Sequence, residues 1–444
     1  IGDPTDMSLE AHHLAMGNPI IGSRQITDTN SGPVTFNRPA QTHSPIIMRP
    51  HVRQGVAQRS HRVVRERNAN RTVPPIRRCG QSYCRCVARN HLLPPHVTVG
   101  AVSVEVNEHD DAGWPYGQVV FGCATFGGLG GASDFVGKGM GEEASLASLD
   151  EAAKLGITLF DTAERYGAGE SERIVGRWLT SRPSSVTEHV RISTKVGPPW
   201  LDGRDGQFDL EYIDRIFSGS LERLAVDAVE ILYTHAPDDH PDRPSGYEPV
   251  GIEATLEALE TIRATGRVRR LGTSNVDADQ LLAAIDAAER LGVVGYEVIQ
   301  NGYNLLDPDG DAEVRRVAVE HGIAYTAYSA LASGILTGKY RRDAPPPAGS
   351  LGELGVLGAM SDVVHDALDR LRTVAEDRRT TTGALALAWL MSRSDVTAIT
   401  TAPSRTSPHL PLLAAALSLR IGSEEADMWA SWFRDAAAET ESST

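Results

Sequence analysis

Four side chains near the middle of this chain could together move a proton: Asp161, Tyr166, Lys195 and His235. Asp161 and Tyr166 stand five residues apart in Ile157-Thr-Leu-Phe-Asp-Thr-Ala-Glu-Arg-Tyr-Gly-Ala-Gly-Glu-Ser-Glu172. This stretch opens as an apolar run, turns polar at the aspartate and passes through a Gly-rich turn into a helix near Glu170. Two later apolar runs also end in a reactive side chain: Val190-Arg-Ile-Ser-Thr-Lys195 delivers the lysine and Val229-Glu-Ile-Leu-Tyr-Thr-His235 the histidine. A lysine beside a tyrosine hydroxyl favours the phenolate and should lower the tyrosine pKa, while a buried aspartate keeps the lysine charged. The tyrosine would then donate a proton near neutral pH, with the histidine holding the substrate oxygen. No residue has the setting of a covalent nucleophile: Cys123 falls on a strand beside small residues, and no Gly-x-Ser-x-Gly turn is present. A proton donor without nucleophile or metal suits reduction of a carbonyl by an external hydride.

Such residues need a frame that brings strand ends together. Apolar strand candidates at 118–124, 157–160, 190–194, 228–234, 267–273, 296–300, 323–328 and 396–400 alternate with amphipathic helical patterns. Eight such units over about 320 residues predict an α/β fold with a parallel sheet closed as a (β/α)8 barrel; an open doubly wound sheet is the alternative. Helix stops stand where expected, at Leu155-Gly156 and Leu291-Gly292. In a barrel the chemistry sits at the C-terminal strand ends. There the sequence places Asp161, Lys195, His235, Ser274-Asn275, Gln300 and Tyr328-Ser329. Singly each has a bland alternative: Asp161 as a turn cap, Lys195 as a solvated charge, His235 as a core histidine. Their shared position at successive strand ends weighs against it. Residues 341–359, with three consecutive prolines, read as a long loop over the same face. Phe126, Trp200 and that loop are expected to wall the pocket.

Composition divides the chain in two. Residues 1–112 carry 13 arginines, no lysine and nine acidic residues (net +4), leaving 30 basic against 49 acidic residues (net −19) for the rest. The first segment, rich in Arg and Pro and without sustained periodicity, is expected to be a disordered extension, with a transit-like or nucleic-acid-binding arm as the functional alternative. Residues 113–440 are expected to form the barrel domain. Its acidity argues against nucleic acid or an anionic membrane as partner, and no apolar run reaches the length of a span. A cytoplasmic location is expected, since the four cysteines show no secreted framework. The cluster Cys79, Cys84 and Cys86 with His91 lacks the usual zinc spacing, so no metal is expected.

From about residue 117 to 437 the chain resembles the aldo-keto reductase family. The resemblance is carried by Gly122-x-x-Thr-Phe-Gly127, the 160–172 stretch, Ser193-Thr-Lys195, Leu232-Tyr-Thr-His-Ala-Pro-Asp238, Gly272-Thr-Ser-Asn275, Gln300-Asn-Gly-Tyr-Asn304 and Tyr328-Ser-Ala-Leu-Ala-Ser-Gly-Ile-Leu-Thr-Gly-Lys-Tyr340. It implies a barrel, a catalytic tetrad falling on Asp161, Tyr166, Lys195 and His235, and NADPH/NADP+ bound without a Gly-x-Gly-x-x-Gly turn. Carried over by position, Ser274, Asn275 and Gln300 would hold the nicotinamide carboxamide, with Tyr328 stacked on its ring, and Thr125 would be a further cofactor contact. Ser329, Leu331, Ser333, Gly334, Leu336, Gly338 and Lys339 would wrap the pyrophosphate, as in the longer-loop branch. Glycines would let backbone amides approach phosphate and Lys339 would add charge. At the adenosine end the chain departs from the pattern: Pro403-Ser-Arg-Thr-Ser-Pro-His-Leu-Pro-Leu-Leu-Ala414 lacks the family's Glu and Asn and carries Pro411. Arg405, with Ser404, is left as the candidate partner of the 2′-phosphate.

The resemblance implies an NADP-dependent oxidoreductase acting on a small carbonyl or sugar substrate, with Tyr166 as proton donor. Two alternatives stand beside it. One is oxidation of an aldose or secondary alcohol; the other is a non-catalytic, cofactor-binding regulatory subunit, because the longer-loop branch includes β-subunits of potassium channels.

Overall fold

The computed structural model describes residues 113–197, 207–241, 243, 245–355, 357, 360–404 and 409–441. The arginine-rich segment 1–112, with its cysteine cluster, lies outside the described residues, as do Trp200 and Arg405. Eight strands form: β1 (Val119–Gly122), β2 (Leu159–Asp161), β3 (Arg191–Val196) and β4 (Val229–Thr234), then β5 (Val268–Ser274), β6 (Val298–Gly302), β7 (Ala324–Tyr328) and β8 (Ala398–Thr401). All neighbours pair in parallel, and β8 returns to β1 through Ile399 opposite Val119 and Thr401 opposite Phe121. The sheet is closed, so the open doubly wound alternative is excluded. Each strand lies within or beside its sequence-predicted run, because strands covered on both faces must be nearly uniformly apolar.

The helices are α1 (Glu142–Lys154), α2 (Glu170–Ser181), α3 (Ser184–Thr187), α4 (Leu210–Leu224), α5 (Ile252–Ala264) and α6 (Ala278–Leu291). They continue with α7 (Ala312–Glu320), α8 (Asp362–Asp377), α9 (Thr382–Met391), α10 (His409–Ser418) and α11 (Ser423–Glu441). Gly292 ends α6 in the left-handed conformation, and Asp277 opens it with a capping box to Gln280. Pro411 does not break α10: it stands in the first turn, where its missing N–H would have had no intrahelical acceptor. None of the helices among the described residues is long and apolar enough to cross a membrane.

Two apolar cores hold the layers. The larger lies between strands and helices and contains Phe121, Phe126, Phe160, Trp178 and Trp389. The smaller fills the barrel interior with Val120, Leu159, Ile231, Tyr233, Val298, Ala324 and Ala398. Tyr233 fits there because its register partner is Gly272, where a Cβ would stand 2.4 Å from the tyrosine ring. Between α2, β3 and α4 the fully buried Glu172 accepts from Thr194 at 2.6 Å and from Arg223 at 2.7 Å. Removing either charge would strand the other.

The barrel floor is closed by the residues just before β1. Trp114 and Tyr116 are buried, their rings edge to face at 4.7 Å, and the Trp114 indole donates to Gly117 O at 2.8 Å. Tyr116 donates to Glu230, and Arg270 reaches back to Gly113 O at 2.6 Å. A chain starting at Gly113 is therefore expected to melt within a few degrees of the full chain. One starting at Gln118 should lose about 3–5 kcal/mol, the usual penalty for emptying a buried tryptophan site. Equal melting temperatures for the two truncations would overturn this account of the floor.

A second contribution to stability is titratable. His409, the first residue of α10, is 7% exposed and packs edge-on to Phe121, and burial pushes its pKa down from 6.5 to about 4. The unfolded chain takes up a proton near pH 6.5 and the folded chain near 4, so stability is complete above the first value and falls with pH between them. This one residue should cost about 2 kcal/mol at pH 5 relative to pH 8. Urea midpoints at the two pH values, for wild type and His409→Gln, should show a smaller acid loss in the variant. An unchanged loss would clear His409 of any part in it.

Candidate active site at the C-terminal rim of the barrel

Asp161 ends β2 and Lys195 stands next to last in β3; both are almost completely buried and form an ion pair. Taking these charges out of water is costly unless every polar atom is met. The site meets them. Ser193 donates to Asp161 Oδ1 at 2.7 Å, Gln300 donates to the same oxygen at 3.2 Å, and Lys195 donates to Asp161 Oδ2 and to Thr162 O at 3.0 Å. Ser193 is two residues from Lys195 on one strand and opposite Asp161 in register, so both side chains reach the same carboxylate. In sequence Ser193 stands in a motif with no evident role of its own; strand alternation is the signal that could have found it.

Tyr166 begins the turn after β2, partly exposed at the rim. The Lys195 ammonium lies 5.1 Å from the centre of its ring and 5.7 Å from that of Tyr233. The turn is strained and tied down: Gly167, Ala168 and Gly169 are all left-handed, and Gly167 N–H donates to Gly130 O. Glu164 N–H donates to Lys195 O, and Thr162 shares a 2.8 Å hydrogen bond with Ser171, which donates to Cys123 O. A Cβ on Gly128 would lie 2.8 Å from Gly167 Cα, so that glycine is what lets the two loops approach. The chain thus fixes the tyrosine relative to β1 and β3 before any substrate arrives.

The expectation of a lowered tyrosine pKa is corrected here. Burial raises it, and although Lys195 pulls it down, the net direction is above the ordinary 10.0. Tyr166 therefore keeps its phenolic proton at neutral pH. For Lys195 burial acts downward, but Asp161 and then Tyr166 outweigh it and hold the ammonium above its ordinary range. His235, its ring edge-on to Tyr166 with centroids 5.6 Å apart, is pushed well below 6.5 by burial, then by Lys195 and Arg165. It is a neutral imidazole, and its Nδ1 is buried without a hydrogen-bond partner among the described residues. The ensemble sets one protonated phenol beside one neutral imidazole at the rim.

The next rim segment holds the residues expected at a nicotinamide. Asn275 is left-handed (φ 59°), donates to His235 O at 2.7 Å and accepts from the Tyr328 hydroxyl at 2.6 Å. Ser274 donates to Gln300 O. Tyr328 is therefore anchored through its hydroxyl and not loose in the core. Beyond it Ser329, Ala332, Ser333, Gly334 and Gly338 all have positive φ. Lys339 is half-buried, has no carboxylate partner among the described residues, and is pushed down in pKa by burial. Gly334 makes room for it, since a Cβ there would stand 2.7 Å from Lys339 Nζ. A partly desolvated cation over a kinked loop fits a phosphate-bearing cofactor.

Several of the expected roles change in the folded chain. Gly334 does not offer its amide, which donates to Leu331 O, and the Gly338 amide donates to Ile335 O. The side chain of Phe126 is wholly in the core, so it does not wall a pocket, and the side chain of Leu336 in the 329–339 segment is buried there too. Thr125 spends its hydroxyl on Pro403 O at 2.8 Å and pins the ends of β1 and β8 together. Ser404 is described at the exit of β8, while Arg405 is outside the described residues. The 341–355 part of the long loop is anchored by Arg342 to Asp362 and Asp366 and by the contact of Gly352 with Tyr340. No group of metal-ligating side chains occurs among the described residues.

Comparison with known proteins agrees with this geometry. The profile of the Aldo/keto reductase family matches residues 118–432. The chain is similar to an NADH-specific methylglyoxal reductase of Escherichia coli, 30% identical over 292 residues, 63% of this chain and 84% of the relative. It is similar to a probable voltage-gated potassium channel subunit beta of Arabidopsis thaliana, 33% identical over 260 residues, 57% and 75% of the two chains. An NADP(+) aldo-keto reductase of Schizosaccharomyces pombe is 27% identical over 281 residues, 62% and 76% of the two. With the profile spanning most of the chain and the barrel rim built as described, the protein belongs to the aldo/keto reductase family.

Proposed function

We propose that the protein is a nicotinamide-dependent oxidoreductase that reduces a carbonyl compound to an alcohol, with Tyr166 as the proton donor. The observation that carries this reading is the buried Asp161–Lys195 pair set beneath a protonated tyrosine and a neutral histidine at one opening. A bound nicotinamide cofactor would supply the hydride. Ser274, Asn275, Gln300 and Tyr328 would hold its nicotinamide end, and the 329–339 segment with Lys339 its phosphates. His235 would hold the carbonyl oxygen through its ring, Tyr166 would pass its phenolic proton to that oxygen, and Lys195 would stabilise the phenolate left behind. Asp161, steadied by Ser193 and Gln300, would keep the ammonium charged and in place.

The tetrad alone does not separate this from a regulatory role, and one relative is named as a channel subunit. Turnover does. Wild type should reduce a generic aldehyde at a steady rate, and Tyr166→Phe should lower kcat by about 10²–10⁴ with cofactor affinity little changed. Retention of more than about a tenth of the wild-type rate would remove Tyr166 as the main acid. No turnover by wild type in either direction would favour the regulatory reading.

For the cofactor we propose NADPH. The support is Arg405 with the Ser404 hydroxyl beside it in the segment after β8, since a guanidinium meets a 2′-phosphate dianion with charge-assisted bonds worth about 1.5–3 kcal/mol. The named relatives include both an NADH-specific and an NADP(+) enzyme, so the choice is a local one. Arg405→Ala should raise the dissociation constant of NADPH about tenfold or more and leave that of NADH nearly unchanged, by fluorescence titration. Equal losses for the two cofactors, or none for either, would overturn the assignment.

A further inference from the structure

Above its floor the barrel interior is filled by aliphatic side chains such as Val120, Leu159, Ile231 and Val298, together with one aromatic ring, that of Tyr233. Seating this ring takes a concession from the neighbouring strand. Its register partner in β5 is Gly272, where a Cβ would stand 2.4 Å from the ring, and a glycine inside a strand weakens it. Filling the space alone would need only a leucine opposite an alanine. The far end of the ring is also held, because Thr326 of β7 and Gln300 of β6 stand at its hydroxyl. Burial, and then the charge of Asp161, push this phenol well above 10.0 in pKa, so it is neutral.

What the ring meets is Lys195. The two are register partners on β4 and β3, and the ammonium lies over the ring, 5.7 Å from its centre, within the range of a cation–π contact. Asp161 Oδ2 and Thr162 O accept two of the three ammonium N–H groups, and both belong to the β2 side. Tyr233 covers the β4 side. An aliphatic residue there would leave the desolvated cation without attraction, and a second carboxylate would draw it away from Tyr166. An aromatic face attracts the cation without neutralising it, so its charge stays available to Tyr166, whose ring centre is 5.1 Å away. The other titratable groups acting on the ammonium, Cys123 and His235, are kept neutral by burial, which leaves Asp161 as its counter-ion.

We propose that Tyr233 is a positioning residue, its ring being the platform that holds the Lys195 ammonium against Tyr166 while the proton is given up. The proposal rests on the carbonyl-reduction reading and adds to it a residue that acts through Lys195. The test varies the charge of the ring face at constant shape. Tyr233→Phe, and phenylalanines with one, two and three ring fluorines at the same position, are made in the full chain, since each fluorine thins the negative face and leaves the packing nearly unchanged. With benzaldehyde or glyceraldehyde, whichever wild type reduces faster, and saturating NADPH, kcat should fall stepwise with fluorine count, about tenfold across the series. KM, the cofactor dissociation constant and the melting temperature should stay nearly level. Tyr233→Leu should lose at least as much kcat as the trifluoro variant, and Tyr233→Phe should recover most of that loss. If the leucine variant does not fold, the fluorine series, which keeps the ring, carries the test. A kcat indifferent to fluorine count in an active wild type would overturn the positioning role and leave the reduction reading standing. No reduction by wild type with either NADPH or NADH would overturn both.

Discussion

The structure depends on one buried ion pair, Asp161 with Lys195. Two charges almost without solvent contact are tolerable only when their hydrogen-bonding capacity is filled, and here each partner comes from a different strand. Ser193 sits on β3, Gln300 reaches across from β6 and Thr162 O caps the end of β2. Closure of the barrel is what brings β6 within reach of β2, so the pair is a consequence of topology as much as of local sequence. A slip of one residue in the β2–β3 register would turn Lys195 or Asp161 toward the helices, so the network selects that register.

Around this rigid centre the rim concentrates its backbone strain. Ala168, Asn275, Ser329, Ala332 and Ser333 are non-glycine residues in the left-handed region, and all lie in loops at the C-terminal strand ends. Such conformations are worth about 1–3 kcal/mol each against the fold and persist only where the surroundings over-determine them. Asn275 shows how: its amide is fixed between His235 O and the Tyr328 hydroxyl, so its twist is set by groups from two other strands. These five lie where a ligand would be gripped, while three others, Ala225, Asp311 and Arg379, stand at or beside helix ends.

Much of this was legible in the sequence because a parallel barrel writes itself as short apolar runs at regular spacing, several of them here closing on a polar residue. Asp161, Lys195, Ser274 and Gln300 could be placed at the rim from that alone. What the sequence did not disclose was direction and sign. Leu336 and Phe126 lie inside motif segments, yet their side chains turn into the core. Gly334 reads as a phosphate-facing amide but serves as a gap for Lys339. The role of Ser193 depends on which residue faces it across the sheet, and register is a non-local property. The proximity of Lys195 argued for a lowered tyrosine pKa, whereas burial acts on the phenol more strongly than the lysine does, and a linear sequence does not display burial.

That reversal of sign bears on how Tyr166 would work as the proposed proton donor. A tyrosine with a lowered pKa would be partly ionised near neutral pH and so partly spent as an acid, while one raised by burial keeps its proton under all physiological conditions. In the proposed reaction the difficulty would then move to the moment of transfer, when a phenolate would be left in a poorly solvated place. Lys195 would answer it, because burial has not stripped its charge: Asp161 holds the ammonium in its protonated form beside the ring. The same low-dielectric setting that makes the phenolate costly also strengthens its attraction to Lys195. In the proposed reaction stabilisation would therefore be largest for the charge that develops and smaller for the neutral phenol that precedes it, which is the condition for lowering a barrier. The ion pair is expensive to bury, and in the proposed reaction part of its energetic return would come when Tyr166 gives up its proton.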